Sequence, residues 1–334
     1  MDMAVTIRDV AKAAGVSIST VSRALAKPDQ VAEATRAHVQ EAARTLGYRP
    51  SPAARGLITG RTGNIGLVVP DLENPYFASI CKGVQARARA AGYAVFIADS
   101  DEDAAVEAEI VRSLAKQVDG VILCSARGGD DAVRAVAAEH PVVLVNRTVD
   151  GVPSIAFDNA GGVRSVLAHL LALGHRTIAY AAGPASSWSN TVRVEAMRAV
   201  AATSPELELL ELGNFPPSFS GGLQAGDLAI ASGATAVVAF NDLVAVGLID
   251  RLRQRGVGVP EAMSVVGFDN VPVSTLVWPN LTTVDCPRVQ MGRASVDLLL
   301  DAVLGRAGTP AVPELGTELI VRNSTGVAAR RAQL

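Results

Sequence analysis

The sequence predicts an α/β protein in which a three-helix head with a helix-turn-helix precedes two doubly wound parallel-sheet lobes. Three observations lead to this fold class. Short helical patterns joined by a glycine fill the first 48 residues, and a stretch rich in proline and glycine follows. Apolar strands then alternate with helical patterns. Near-continuous apolar strands of this kind are typical of parallel sheets that helices cover on both faces.

The head contains the stretch TIRDVAKAAGVSISTVSRAL, which begins at Thr6. Thr6 and Ser17 are good N-caps for two short helices, and Gly15 between them can take the positive φ that ends the first one. A third helical pattern covers about 32–46. Two short helices joined by such a tight turn form a helix-turn-helix, so we assign residues 1–49 to one small domain.

A linker and a change of charge separate this head from the rest of the chain. Residues 50–61 are rich in proline, glycine and small polar residues, and SPAARGL within them can form one or two helical turns that are unstable alone. Residues 1–61 carry nine Lys/Arg against five Asp/Glu, a net charge of +4, whereas the remainder carries −7. A basic head on an acidic body indicates a polyanion as partner of the head, and an ordinary solvated face is the alternative.

The remainder of the chain, residues 62–334, is the body. Strands such as IGLVVPD, GVILCS and SVVGFDN alternate there with helical patterns, and they are too many for one sheet of modest size. We therefore predict two similar lobes. Lobe 1 takes about 62–160 plus 287–320, and lobe 2 takes about 161–285. The helix over about 288–305 is expected to pack back onto lobe 1.

Composition and motifs exclude several classes of protein. No apolar run approaches the ~18 residues of a membrane span and no secretory signal is visible, so we expect a cytoplasmic protein with no membrane partner. The three cysteines stand far apart in apolar surroundings, which predicts buried thiols and neither a disulfide framework nor a metal site. No GxSxG, HExxH, P-loop or strand-associated GxGxxG motif occurs and the four histidines are scattered, so we expect no catalytic residue and no cofactor.

An ordered set of motifs makes the chain recognisable. TIRDVAKAAGVSISTVSRAL is followed by VAEATRAHVQEAARTLGYRPSPAARGL, then by IGLVVPDLENPYF, FNDLVAVGL, and GFDN with PNLTTV. Together these residues resemble the lactose/galactose repressor (LacI/GalR) family of bacterial transcription regulators over nearly the whole chain. The body correspondingly resembles periplasmic sugar-binding proteins.

This resemblance implies a sequence-specific DNA-binding regulator, in the first place a repressor. It implies a homodimer on a near-palindromic operator, and no tetramer is expected because the residues after Arg322 contain no leucine heptads. Operator affinity would be controlled by a small polar effector, with a sugar as the first choice and a nucleoside or purine as the alternative. A sugar-binding protein or an enzyme without a DNA role remains the competing interpretation.

The DNA-contacting residues implied by the resemblance lie on the second helix and in the linker. They are Thr6, Ser17, Ile18, Ser19, Thr20, Ser22, Arg23, Arg55 and Leu57. Arg23 is suited to grip a guanine through two acceptors, whereas Ser17 is interpreted first as a cap. Ile18 departs from the polar side chains usual at the start of this helix and is suited to a thymine methyl group. Leu57 matches the leucine that the family wedges into the minor groove, and residues 50–61 match its hinge helix.

The effector candidates follow strands of the body, because ligands of open α/β sheets bind beyond the carboxyl ends of the strands. They are Asp71, Tyr76, Phe77, Ser100, Ser125, Asn146 and Arg147 in lobe 1 and Ser187, Trp188, Ser189, Arg193, Phe215, Asn241 and Asp269 in lobe 2. By resemblance, Arg193, Asn241 and Asp269 match the family's most regular effector contacts. Aromatic side chains are expected to cover the apolar faces of the ligand, and Asp242 is interpreted as a helix cap.

Overall fold

A computed structural model describes residues 5–26, 30–48, 61–306 and 315–329 of the chain. Two units emerge from the contacts between residues: one contains residues up to 64 together with 117–119, and the other contains the rest. The predicted linker contacts Arg55 and Leu57 lie outside the described residues. No helix in the described ranges has the length and apolar character needed to cross a membrane.

The head consists of three short helices, as the sequence predicts. They are α1 (Ile7–Ala13), α2 (Ile18–Ala26) and α3 (Glu33–Thr45). Thr6 and Asp9 hold the start of α1, since the Thr6 backbone nitrogen donates to Asp9 Oδ2 at 2.9 Å. Gly15 has a φ of +62°, which allows the tight turn before α2. Small aliphatic side chains, among them Val10, Val21 and Val39, form the buried core of the three helices.

Lobe 1 is a five-stranded sheet with the strand order β2-β1-β3-β4-β5. Its strands are β1 (Asn64–Val69), β2 (Ala94–Asp99), β3 (Val121–Cys124), β4 (Val142–Val145) and β5 (Ser154–Ile155). Its helices are α4 (Pro75–Ala90), α5 (Ala104–Leu114) and α6 (Asp130–Glu139). The pairs β1–β3, β3–β4 and β4–β5 are parallel. β5 has only two residues, because the chain leaves the sheet there and crosses towards lobe 2.

Lobe 2 is a six-stranded sheet with the order β11-β10-β9-β8-β6-β7. Its strands are β6 (Thr177–Ala182), β7 (Glu208–Asn214), β8 (Ala236–Ala239), β9 (Ser264–Asp269), β10 (Thr282–Asp285) and β11 (Glu318–Ile320). Its helices are α7 (Asn159–Ala172), α8 (Trp188–Thr203), α9 (Phe219–Ser232) and α10 (Asp242–Gln254). All neighbouring strands are parallel except β10 and β11, which pair in antiparallel fashion.

The segment after lobe 2 divides between the two lobes. Helix α11 (Arg288–Val303) packs against α4 of lobe 1, as expected. Gly83 and Gly292 permit this approach, because a Cβ at either position would collide with the backbone of the other helix. The prediction that lobe 1 extends to residue 320 needs correction, since β11 pairs with β10 through the register Val284 to Leu319. Without β11, strand β10 would be the edge of the sheet and its outer backbone N–H and C=O groups would be unpaired. β11 pairs with these groups and so belongs to the sheet of lobe 2.

Candidate functional site

A cleft of about 330 Å³ lies where strands of both lobes end. Its lining comprises Asn74, Tyr76, Phe77, Glu102, Ser125, Arg127 and Asn146 from lobe 1 and Ser189, Arg193, Pro217, Phe240, Asn241 and Asp269 from lobe 2. Most of these side chains can donate or accept hydrogen bonds, so the cleft is built for a polar molecule.

A chain of buried side-chain hydrogen bonds crosses the floor of this cleft. Arg193 Nε donates to Asn159 Oδ1 at 2.9 Å. Asn159 Nδ2 lies 3.5 Å from Asn146 Oδ1, and Asn146 Nδ2 donates to Ser125 Oγ at 3.1 Å. All four residues are buried. The chain therefore joins helix α8 of lobe 2 to the ends of β3 and β4 in lobe 1 through the residue that opens α7.

The Arg193 guanidinium is held in a fixed orientation before any ligand arrives. It lies 3.5 Å from the centroid of the Phe268 ring and 5.1 Å from that of Phe240. Its Nη1 donates to the Phe240 carbonyl oxygen at 2.5 Å. Within the described residues no hydrogen bond involves Nη2, so this nitrogen can donate to a ligand. Stacking on aromatic rings stabilises a cation that burial would otherwise disfavour.

Asp269 ends β9 with its carboxylate buried in the cleft. Its φ is 111°, and that of Asn270 is 52°, a region that side chains rarely adopt and that often marks functional sites. No described residue donates a hydrogen bond to the carboxylate. Burial raises the pKa of Asp269 to about 7, although Arg193 and Arg288 oppose the shift. A carboxylate that lines the cleft and has no protein donor can accept from a ligand that supplies hydroxyl or amine hydrogens.

Three other predicted contacts line the same cleft in different ways. Asn241 accepts from the Val244 backbone nitrogen as the N-cap of α10 and donates to the Pro217 carbonyl oxygen at 2.9 Å. Tyr76 and Phe77 meet edge to face with ring centroids 5.0 Å apart. The Tyr76 hydroxyl is buried without a hydrogen-bond partner in the described structure. Two aromatic rings of lobe 1 thus form one apolar part of the lining.

Six predicted effector contacts are not part of the cleft lining: Asp71, Ser100, Arg147, Ser187, Trp188 and Phe215. Arg147 is buried and donates to the carbonyl oxygens of Ala126 and Gly128 and to Asp130. Ser187 accepts from the Asn190 backbone nitrogen as the cap of α8. Phe215 packs in the aliphatic core of lobe 2. In these cases the side chain at the strand end serves the local fold.

Asp242 is not the helix cap that the sequence suggests, because Asn241 occupies that position. Its carboxylate is fully buried and accepts from the Val271 backbone nitrogen at 2.8 Å and from Thr283 Oγ1. Burial raises the pKa of Asp242 well above its ordinary value, and the charge of Asp269 raises it further. Asp242 therefore connects α10 to the backbone that follows Asp269.

Sequence reasoning missed five residues of the lining: Asn74, Glu102, Arg127, Pro217 and Phe240. Glu102 and Arg127 stand within three residues of the ends of β2 and β3, so the rule about carboxyl strand ends could have found them. Arg127 is held by Glu102, through Nε to Oε2 at 2.6 Å and Nη2 to Oε1 at 2.9 Å. That pairing depends on how two loops meet, and the sequence does not reveal it.

In the head, helix α2 exposes one side that carries several predicted DNA contacts. Ile18, Ser19 and Arg23 are exposed, and the Ile18 side chain is apolar at 46% exposure. Ser17 caps the helix, because its Oγ accepts from the Thr20 backbone nitrogen at 3.1 Å. Thr6 is likewise exposed, whereas Thr20 and Ser22 are half-buried. Within the described ranges no group of three His, Cys, Asp or Glu side chains is arranged to hold a metal ion.

Both the head and the two-lobed body match known protein families. Residues 6–51 match the model of bacterial regulatory proteins of the lacI family, and residues 62–321 match that of periplasmic binding proteins and the sugar-binding domain of the LacI family. The HTH-type transcriptional repressor CytR of Escherichia coli (strain K12) is 33% identical, with 97% of each chain covered.

Two solved structures extend the comparison. The lac repressor dimer bound to operator and the anti-inducer ONPF matches with a TM-score of 0.82 at 29% identity, covering 97% of this chain and 100% of that one. The complex of the transcriptional regulator CelR with cellobiose matches with a TM-score of 0.71 at 31% identity, covering 96% and 99% of the two chains.

Proposed function

This chain belongs to the LacI family of bacterial regulatory proteins, and we propose that it represses transcription from a near-palindromic operator under the control of a neutral sugar-like ligand in the cleft. It is a DNA-binding repressor with an effector-binding domain and is not an enzyme. We propose three further properties of this chain: the class of its effector, the residues that contact the effector, and a homodimer. The proposal puts the protein in the cytoplasm, where operator DNA is found.

The observation that carries the ligand proposal is the unpartnered carboxylate of Asp269 beside the free Nη2 of Arg193. A carboxylate accepts from hydroxyl groups and a guanidinium donates to them, so the pair can hold two adjacent hydroxyls of a neutral polyol. The cellobiose complex of CelR supports a sugar, since that regulator is a relative of similar fold. Tyr76, Phe77 and Phe240 would cover the apolar faces of the ring.

The head supports DNA recognition through the exposed residues of α2. Arg23 presents a cation, and Ser19 a hydroxyl, on the helix that enters the major groove in relatives of this family. Ile18 adds an apolar contact suited to the thymine methyl group. Thr6, Ser17, Thr20 and Ser22 are candidates for phosphate contacts near these bases. Arg55 and Leu57 remain proposed contacts of the linker.

Ligand control would act through the two lobes. Because the chain of hydrogen bonds from Arg193 to Ser125 crosses between them, a ligand that recruits Arg193 and Asp269 changes the relation of lobe 2 to lobe 1. By resemblance to the family, residues 50–61 fold as a hinge helix only on operator DNA, so a small lobe movement can decide whether this marginal helix forms. We propose induction, in which ligand weakens operator binding by about 5–150-fold, the usual range of allosteric coupling.

Two apolar patches support the homodimer. In lobe 1, the edge strand β2 exposes Phe96, and in lobe 2 the turn after β9 exposes Leu276 and Trp278 at 81% and 78%. Large exposed apolar side chains mark interaction surfaces, and an unpaired edge strand invites a second chain. We propose that both patches are covered by the partner subunit. A two-fold dimer would place one reading helix over each half-site of the operator.

The experiment that tests this function begins by selecting an operator from random DNA with the full chain. Fluorescence anisotropy then measures its affinity with and without ribose, glucose, cellobiose, cytidine and adenosine at millimolar concentration. We expect a palindromic consensus and release by at least one neutral ligand. Failure to select any sequence, or a ligand affinity that is identical with and without saturating operator, would contradict the proposal, because allosteric coupling is reciprocal.

A further inference from the structure

On the lobe 1 side, the lining of the cleft contains an ion pair that the sequence motifs did not predict. Arg127 and Glu102 both line the cleft, and their contact is bidentate, at 2.6 and 2.9 Å. The Arg127 side chain is only 3% exposed, whereas that of Glu102 is 24% exposed. A buried guanidinium is thus matched by one carboxylate that still reaches the ligand space.

Arg127 is held in place by several elements. Its backbone nitrogen donates to Glu107 Oε2 at 2.8 Å, and its Nη1 donates to the Ser125 carbonyl oxygen at 2.8 Å. Glu102 and Ser125 have φ values of 59° and 47°, so two strained backbone positions flank the guanidinium. A guanidinium has five N–H groups, and these contacts use three of them. One N–H on Nη1 and one on Nη2 therefore remain, on a group whose position is fixed.

The charges of the lining determine which ligand groups the two remaining N–H groups of Arg127 can bind. The lining contains two acidic side chains, Glu102 and Asp269, and two basic ones, Arg127 and Arg193. Beyond Glu102 the rim of lobe 1 is acidic, since the charges of Asp99 and Glu102 add to burial in raising the pKa of Asp71. A phosphate entering this wall would meet a guanidinium that is already neutralised and carboxylates that repel it.

We propose that the Glu102–Arg127 pair is the lobe 1 specificity element of the cleft, which accepts a hydroxyl or carbonyl oxygen of an uncharged ligand and rejects the phosphorylated form of the same ligand. The inference rests on the proposed function, because it concerns the same cleft. The two lobes then bind opposite ends of the ligand. In lobe 2, Asp269 accepts from hydroxyl groups of the ligand, and in lobe 1, Arg127 donates to an uncharged oxygen of the ligand.

The test is a variant that uncovers the guanidinium. Glu102→Gln keeps the shape of the side chain and one oxygen acceptor but removes the charge. Isothermal titration of the full chain with inorganic phosphate should show no saturable binding for the wild type. It should show saturable binding for Glu102→Gln, at an affinity about 10–100-fold above the upper limit set by the wild-type titration, the effect of one charge-assisted hydrogen bond. Adding Arg127→Met to Glu102→Gln should abolish it. Asp131→Asn, which breaks the exposed pair with Arg134 in the same lobe, is the matched control and should not bind phosphate.

A second measurement needs no variant. Wild-type protein is screened by thermal shift against ribose and ribose 5-phosphate and against glucose and glucose 6-phosphate. Neutral sugars that bind while their phosphates do not support the proposal, and tighter binding of either phosphate overturns it. A folded Glu102→Gln protein that does not gain phosphate binding also overturns it, and if that variant fails to fold the wild-type comparison decides. Failure of every ligand to release operator would instead contradict the proposed function and leave the phosphate result intact.

Discussion

Arg193 Nε donates to Asn159 Oδ1 at 2.9 Å, which ties helix α8 of lobe 2 to the residue that opens α7, just after the chain has left lobe 1. Asn159 in turn lies within 3.5 Å of Asn146 in lobe 1. A cation whose ligand contact is oriented by a residue between the lobes can respond to their relative position.

Asn159→Ala should weaken effector binding by about tenfold, because Arg193 loses the acceptor that orients it and a buried donor is left unpaired. The measurement is calorimetric titration with the ligand that releases operator. Asn190→Ala is the matched control: Asn190 is also a buried asparagine, but its Oδ1 accepts from the Tyr180 hydroxyl at 3.0 Å and not from Arg193. Equal loss of ligand affinity in both variants would show that Asn159 acts only through stability.

Asp269→Asn should abolish the effector response and raise the stability of the ligand-free protein at pH 8. Because the pKa of Asp269 is about 7 in the fold, the folded protein keeps a proton that the unfolded chain has already lost, and stability falls as pH rises from about 4 to 7. At about 1.4 kcal/mol per pKa unit, the gain at pH 8 is at most about 4 kcal/mol. Urea unfolding at pH 8 and pH 4 measures it, and the difference from wild type should vanish at pH 4. A variant less stable than wild type at pH 8 would contradict the assigned cost.

Effector affinity of the wild type should fall as pH drops below 7. Hydroxyl donors stabilise the ionised carboxylate, so below its free pKa of about 7 a proton must leave Asp269 on binding. The loss approaches about tenfold per pH unit. Titrations in two buffers of different ionisation enthalpy should reveal proton release at pH 6 and none at pH 8.5. Proton uptake at pH 6 would be inconsistent with Asp269 as a charged acceptor.

Trp278→Glu should separate the proposed dimer into monomers and weaken operator binding, because a charge in an apolar interface loses its hydration without gaining a partner. Sedimentation velocity at micromolar concentration provides the measurement. Val327→Glu is the control, since Val327 is equally exposed, at 78%, and lies outside both proposed patches. A Trp278→Glu protein that remains dimeric would place the interface on another surface.

Ile18 should contribute to operator recognition through thymine methyl groups. Each outer thymine of the selected operator is replaced in turn by deoxyuridine, which removes only the methyl group. At one position this should weaken wild-type binding by about 0.8 kcal/mol, the value of one buried carbon group. Ile18→Ala should be insensitive to the same replacement, whereas Arg23→Ala should remain sensitive and instead lose discrimination for guanine by about 1–3 kcal/mol. Fluorescence anisotropy on the paired operators measures both effects. Sensitivity to deoxyuridine that survives in Ile18→Ala would exclude the methyl contact.

The helices and strands, and their order along the chain, could be predicted from the sequence, because each element has its own local hydrophobic periodicity. The apolar run IGLVVPD and its successors have the pattern of buried parallel strands, and β1, β3, β4, β8 and β9 lie where that pattern predicts. Gly15 indicated the turn of the head by its freedom to take positive φ. The family also followed, since its motifs are contiguous stretches whose order can be read along the chain.

Only the tertiary structure decided which strand-end residues meet. Arg147 and Arg127 both follow strands of lobe 1, yet Arg147 donates to carbonyl oxygens of the loop after β3 while Arg127 pairs with Glu102 at the cleft. Asn241 rather than Asp242 caps its helix: the Asn241 side chain accepts from the Val244 backbone nitrogen, whereas the Asp242 carboxylate accepts from the Val271 backbone nitrogen. The sequence determines that polar side chains stand at the ends of the strands. Their final direction depends on donors and acceptors far away along the chain, and those partners become neighbours only when the sheets and loops are packed.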